Sequence, residues 1–237
     1  MNSFKRIYTG VLLLLSLALT GCCADIAVSA KEDSSTNISI NMDIGQSVGG
    51  LIKALFGMTG SGKQVESIVS PKEITEALTQ GGYINARAES SDTKLSAEAG
   101  MPPKTSSALI KNTGNSLTVY FSPQALKTEY ESMSEEAKAY IDLLMAPIFT
   151  GEELSRDEYI ELIKSAYGSD LANELQSSAV TLSLSQPKGK KRKSHSLYYC
   201  ESQTATVQTY SIPLVDFLTF GFNEGDSESC EFSISWE

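Results

Sequence analysis

The chain has 237 residues, 41% hydrophobic and 20% charged, a balance that fits one large globular domain or two small ones. Its formal net charge of −10 excludes a nucleic-acid partner that must be met with net positive charge. One histidine excludes a multi-histidine metal site, and four cysteines are too few for a disulfide-built scaffold.

The chain opens Met1-Asn2-Ser3-Phe4-Lys5-Arg6, a short basic segment, and an apolar run follows over 11–19, broken only by Ser16. That run is shorter than the roughly 18–20 residues that a membrane-spanning helix needs. A basic start, a short apolar core and small residues at the end describe an export signal, which is set aside from the fold. The closing Leu19-Thr20-Gly21-Cys22 resembles the lipobox of bacterial lipoproteins. The resemblance implies that the signal peptide 1–21 is removed and that Cys22 becomes the diacylglyceryl-modified, N-acylated first residue. Residues 22–237 would then be one envelope-exposed domain, lipid-anchored to the cell membrane or outer membrane and outside the cytoplasm. Loss of Lys5 and Arg6 takes the charge from −10 to −12. Buried acyl chains bind at about 0.8 kcal/mol per methylene, so several chains make a durable anchor. Cys23 departs from the serine or aspartate usual after the lipidated residue.

Ile26, Val28 and Ala30 alternate with polar residues, and Ile38, Ile40 and Met42 do the same beyond the polar stretch 31–36. This predicts an antiparallel hairpin with one buried face, beginning almost at the lipidated cysteine. Val48, Leu51, Ile52, Leu55 and Phe56 recur at helical spacing and predict a helix over 46–56. Ser70-Pro71 opens a second, short helix, which Gly81-Gly82 stops. Strand-like stretches follow near 83–88, 94–99, 107–111 and 116–121, and Asn112-Thr113-Gly114-Asn115 has the chemistry of a turn between the last two.

The middle reads as helical. Ser122-Pro123 starts one helix, and Ala137, Tyr140, Ile141, Leu144, Met145 and Ile148 form one stripe. Ser155 and Glu158 have capping-box spacing, and a further helix covers 169–176. Val180, Leu182 and Leu184 alternate again, and strands over 204–212 and 231–236 flank an irregular or short helical piece at 213–220. Blocks of strands, helices and strands predict an α+β fold, with antiparallel sheet strands at both ends of the chain and a helical segment in the middle. A strand pair after the lipobox and a helix after the pair resemble lipoproteins of the LppM type. That resemblance implies a membrane-proximal α+β domain.

Gly57, Gly62 and Lys63 have P-loop spacing, but Gln64 stands where the Mg²⁺-ligating hydroxyl belongs and helical periodicity precedes them, so the segment reads as a linker. His195 is the one imidazole that a catalytic triad could use, and it lies in an expected exposed turn. Lys188, Lys190, Lys191, Arg192 and Lys193 put five positive charges in six residues. Such charges repel one another and favour a solvated hairpin tip. The tip could also meet phospholipid headgroups, at about 1 kcal/mol per charge near an anionic bilayer, or an acidic partner.

Cys200 and Cys230 lie in two predicted strands and are the natural disulfide pair once Cys22 is lipidated. Their loop of about thirty residues would contribute on the order of 3 kcal/mol. No Cys/His spacing supports a metal site. Glu152, Glu153, Asp157, Glu158 and Glu161 crowd a helix start, where the dipole favours negative charge. The acidic loop 223–228 lacks the alternation of an EF-hand. Tyr198, Tyr199, Tyr210, Phe217, Phe220, Phe222, Phe232 and Trp236 read as the core of the strand layer, with an exposed ligand groove as the other reading.

No catalytic constellation emerges, and no cofactor or metal is expected. The expected function is a non-catalytic binding or structural role at the cell envelope, with the membrane and an envelope protein as partners. One alternative is a lipid or small-ligand carrier, its cavity between sheet and helices lined by Leu51, Leu55, Leu144 and Ile148. The other is an envelope hydrolase that gathers carboxylates from distant segments.

Overall fold

The computed structural model describes residues 23–50, 70–80, 82–91, 93–107, 109–121, 126–127, 130–131, 138, 142, 146–219 and 231–237. The first alternating runs form β1 (Cys23–Ala30) and β2 (Thr36–Asp43), paired antiparallel from Cys23 opposite Asp43 to Ala30 opposite Thr36. Ile26, Val28, Ile38 and Ile40 turn inward, while Asp25 and Asn41 stay exposed. Asp33 builds the turn between them: its Oδ1 accepts from the Ser35 amide at 2.9 Å and the Ser35 hydroxyl at 2.6 Å. Those donors favour the charged form and hold the Asp33 carboxyl below its ordinary value.

Residues 46–50 are helical, and the rest of the helix expected over 46–56 lies outside the described residues. Pro71 opens α1 (Pro71–Gln80) as its fixed φ suits a first helical position. The four expected strands follow as β3 (Ile84–Ser90), β4 (Lys94–Met101), β5 (Ile110–Asn112) and β6 (Ser116–Tyr120). Then come α2 (Pro147–Thr150), α3 (Arg156–Tyr167), α4 (Ser169–Ser177), β7 (Ala179–Ser185), β8 (Arg192–His195), β9 (Cys200–Gln203), β10 (Val207–Pro213), α5 (Leu214–Leu218) and β11 (Glu231–Trp236).

Seven strands make one sheet in the order β3-β4-β2-β1-β7-β10-β9, and four make another in the order β5-β6-β11-β8. The fold is mixed α and β, dominated by strands. It corrects the expected layout in two respects. The described helices are short and gather mostly toward the C-terminal half, without forming a clear central segment. The pairing is not wholly antiparallel either, because β7 lies beside β1 in the same direction. The chain between β1 and β7 runs through β2–β6 and α1–α4, far more than the dozen residues that a crossover between parallel strands requires. N-terminal and C-terminal strands thereby share one sheet.

The two sheets meet through aromatic rings. Tyr210 on β10 lies 5.0 Å from Phe232 on β11, and Phe121 lies 5.7 Å from Phe232 and 5.1 Å from Phe217. The Tyr210 hydroxyl donates to the Ser233 carbonyl at 3.1 Å, tying the sheets directly. Tyr159 and Ile163 of α3 and Leu171 and Leu175 of α4 are buried with this core.

The Ser155 capping box is present at the start of α3. The Ser155 amide donates to Glu158 Oε2 at 2.9 Å and the Glu158 amide donates to Ser155 Oγ at 3.4 Å. Replacing Ser155 by alanine is expected to lower the unfolding free energy by about 1 kcal/mol, read as a shifted urea midpoint at unchanged slope. An unshifted midpoint would show that the cap carries no energetic weight.

Candidate functional site

The parallel register of β1 and β7 gives the molecule two ends. Cys23 lies beside Ala179 and Ser29 beside Ser185. At about 3.3 Å per residue, the length of β1 separates the ends by roughly 23 Å. The near end carries Cys23, Asp43, Lys94 and Ala179. The far end carries the β1–β2 turn and the basic turn that follows β7.

At the far end Lys188, Lys190 and Lys191 are exposed. Pro187 and Lys188 border a surface concavity of about 380 Å³ together with Lys31 and Asp33. The platform beneath is stitched by side chains. Asn112 Nδ2 donates to the Ser34 and Ser35 carbonyls, each at 3.3 Å, and to Thr36 Oγ1 at 3.1 Å. Trp236 Nε1 donates to the Gly114 carbonyl at 3.1 Å. Gly114 needs its left-handed φ of 89°, and a Cβ there would meet Ser34 Oγ at 3.1 Å.

The basic run is not all tip. Pairing of β8 with β11 sets Arg192 opposite Trp236 and turns its side chain inward. Arg192 is half-buried, and its Nη1 donates to Gln208 Oε1 at 3.1 Å. Its Nε and Nη2 are buried and meet no acceptor among the described residues. Lys193 is exposed on β8, and His195 ends that strand half-buried opposite Ile234, not in an exposed turn.

At the near end, a concavity of about 360 Å³ is lined by Cys23, Asp25, Asn41, Asp43, Glu89 and Lys94, among others. Asp43 and Lys94 pair across it at 3.2 Å, both largely exposed. Met42 and Leu95 add apolar surface to this lining. Of the residues expected to line a carrier cavity, Ile148 is buried in the core, and Leu51, Leu55 and Leu144 lie outside the described residues.

A second near-end feature was not foreseen from sequence. Between β8 and β9 the chain exposes Leu197 at 77% and Tyr198 at 60%. Tyr198 therefore departs from the expected strand-layer core, which Tyr210, Phe217, Phe232 and Trp236 do form. Tyr199 adopts a left-handed φ of 54°, and its ring lies 4.4 Å from that of Tyr198. Its hydroxyl donates to Asp216 Oδ2 at 2.9 Å, and Arg156 Nε makes an ion pair with Asp216 Oδ1 at 2.7 Å. Burial, reinforced by the Asp216 carboxylate, pushes the Tyr199 phenol well above its usual range. The legible signal was Asp216 itself, a lone carboxylate within Leu214-Val215-Asp216-Phe217-Leu218. A charge embedded in a buried apolar run must find partners.

Cys22 and Cys230 lie outside the described residues. Cys23 and Cys200 are free, exposed thiols, which leaves the expected Cys200–Cys230 disulfide unsupported. Cys200 opens β9 at the edge of the seven-stranded sheet, whereas Glu231, next to Cys230, opens β11 of the other sheet. The carboxylates around α3 do structural work or face solvent: Glu158 caps, Glu161 pairs with Lys164 at 3.1 Å, and Glu152, Glu153 and Asp157 are exposed. The segments 57–63 and 223–228, with Phe220 and Phe222, fall outside the described residues.

Among the described residues no helix is long and apolar enough to cross a membrane, and no group of three or more His, Cys, Asp or Glu stands together to hold a metal. The chain matches no model of a known protein family, and comparison with curated proteins gives no match.

Proposed function

We propose that the chain is a bacterial lipoprotein without catalytic activity, anchored through Cys22. Its single domain, residues 22–237, holds the basic turn 188–191 out to an acidic protein partner in the envelope. One observation carries this reading: β1 begins at Cys23 with no spacer, and parallel β7 delivers the basic turn to the opposite end. Roughly 23 Å is more than two Debye lengths of about 8 Å at physiological salt, so attraction to the headgroups of the anchoring bilayer is largely screened there. An acidic protein surface is the better match for Lys188, Lys190 and Lys191.

Crosslinking in intact cells, followed by mass spectrometry, tests the reading. The wild-type chain is expected to capture one dominant acidic partner, and Lys188→Glu, Lys190→Glu and Lys191→Glu combined should abolish the capture. Equal capture by the charge-reversed variant would remove the basic turn from the contact. Recovery of the chain alone would sink a stable adaptor role, and co-purifying lipid without protein would favour the carrier. The anchor has its own readout: acyl mass on the N-terminal peptide, lost in Cys22→Ser together with membrane retention.

A further inference from the structure

Leu197, Tyr198 and Ile84 are the exposed large hydrophobic residues among the described part of the chain. Ile84 pairs with Gly100, and Gly100 with Asn37, which puts it at the far end of the sheet. Leu197 and Tyr198 sit at the other end. The Ser211 amide donates to the Tyr199 carbonyl, Ser211 pairs with Thr181, and Thr181 with Asp25. Tyr199 is therefore level with Asp25, two residues from Cys23. Strand β8 arrives from the far end, where the Lys191 and Glu237 backbones pair, and β9 leaves the near end antiparallel to β10. The turn between them is thus on the Cys23 side. Across the sheet it is three strand spacings from β1, roughly 14 Å.

We propose that Leu197 and Tyr198 form a second membrane contact, entering the headgroup region of the bilayer that holds Cys22. The inference rests on the lipid anchor proposed above. The pair has the chemistry for that depth: an apolar leucine, and a tyrosine whose ring prefers the interface while its hydroxyl stays wet. The turn is also braced. Tyr199 packs under Tyr198 and is fixed through its hydroxyl to Asp216, which Arg156 pairs in turn. Two side chains bury too little surface to hold the protein by themselves. Beside a lipid anchor the second contact is intramolecular, and it needs only to fix orientation. A lipid at Cys22 and a wedge about 14 Å away define a line on the bilayer, and together they aim the basic turn outward.

The experiment uses the lipid-bearing full protein in phosphatidylethanolamine–phosphatidylglycerol vesicles containing a phospholipid brominated near the headgroup. Leu197→Trp, at an exposed site, reports the turn, and native Trp236, buried at the far end, is the internal reference. The expected result is emission shifted to shorter wavelength and quenched about twofold by the brominated lipid, with Trp236 of the parent unaffected. Tyr198→Trp should behave alike. Water-exposed, unquenched emission from both variants on chains whose Cys22 carries acyl mass would overturn the membrane contact and leave the anchor standing. Shifted emission already present without vesicles would assign the turn's cover to this chain or a second copy, and would also overturn it. Absence of acyl mass would remove the anchor and the contact with it.

Discussion

Truncating Phe232 to alanine is expected to lower the unfolding free energy by about 3–5 kcal/mol. The ring is 1% exposed and touches both halves of the inter-sheet core, with Tyr210 at 5.0 Å and Phe121 at 5.7 Å. Deletion removes the transfer free energy of a whole aromatic group. It also leaves a cavity that two hydrogen-bonded sheets cannot collapse to fill. Against a total stability of about 5–15 kcal/mol for a domain, that loss is a large fraction. In a chain of this size it corresponds to a fall in Tm of about 6–20 °C. Leu197→Ala, at an exposed position, is the control and should stay within about 0.5 kcal/mol of wild type. Urea denaturation of both variants decides the matter. A Phe232→Ala loss below about 1 kcal/mol would mean that this ring does not hold the sheets together.

What sequence made legible was local. Period-two alternation located β1, β2 and β7, because each buries one face, and Ser70-Pro71, Ser155 with Glu158, and Asn112 to Gly114 marked boundaries through chemistry contained in four residues. The pairing of β1 with β7 was not legible, since nothing within either strand names a partner some 150 residues away; tertiary burial chooses it. That one pairing makes the molecule two-ended and decides what the basic run can reach. The run itself was readable as charge, but not the fate of each member. Its register with β11 turns Arg192 inward and half-buries it while Lys188, Lys190 and Lys191 stay in water. Tyr198 and Tyr199 show the same limit, because adjacent identical residues in a turn point to solvent and to Asp216 respectively. From sequence both read as core, with an exposed aromatic groove as the other reading, and nothing local separates the two.

Alkaline pH gives the second large effect. Burial pushes the Tyr210 phenol up to about 12, with Cys200 adding to the rise, and burial raises Tyr159 further, with Tyr167 contributing. In the unfolded chain both phenols release their protons near pH 10. Between pH 10 and the folded values the native state therefore binds more protons than the unfolded one, so stability must fall as pH rises. The contribution is fully present below pH 10 and is lost on the way toward pH 12. Each phenol contributes a slope approaching about 1.4 kcal/mol per pH unit, so the two together remove about 3 kcal/mol between pH 9 and pH 11. Tyr199, also raised, acts with the same sign. Tyr210→Phe separates this linkage from general alkaline damage. At neutral pH the variant loses the bond to the Ser233 carbonyl, about 1 kcal/mol. It also lacks one of the retained protons, so its stability declines less steeply and the two curves converge by about pH 11. Urea titrations at pH 8 and pH 11 give both numbers. Parallel curves would mean that Tyr210 titrates in the native state as it does in the unfolded chain, and that its burial between the sheets does not hold its proton.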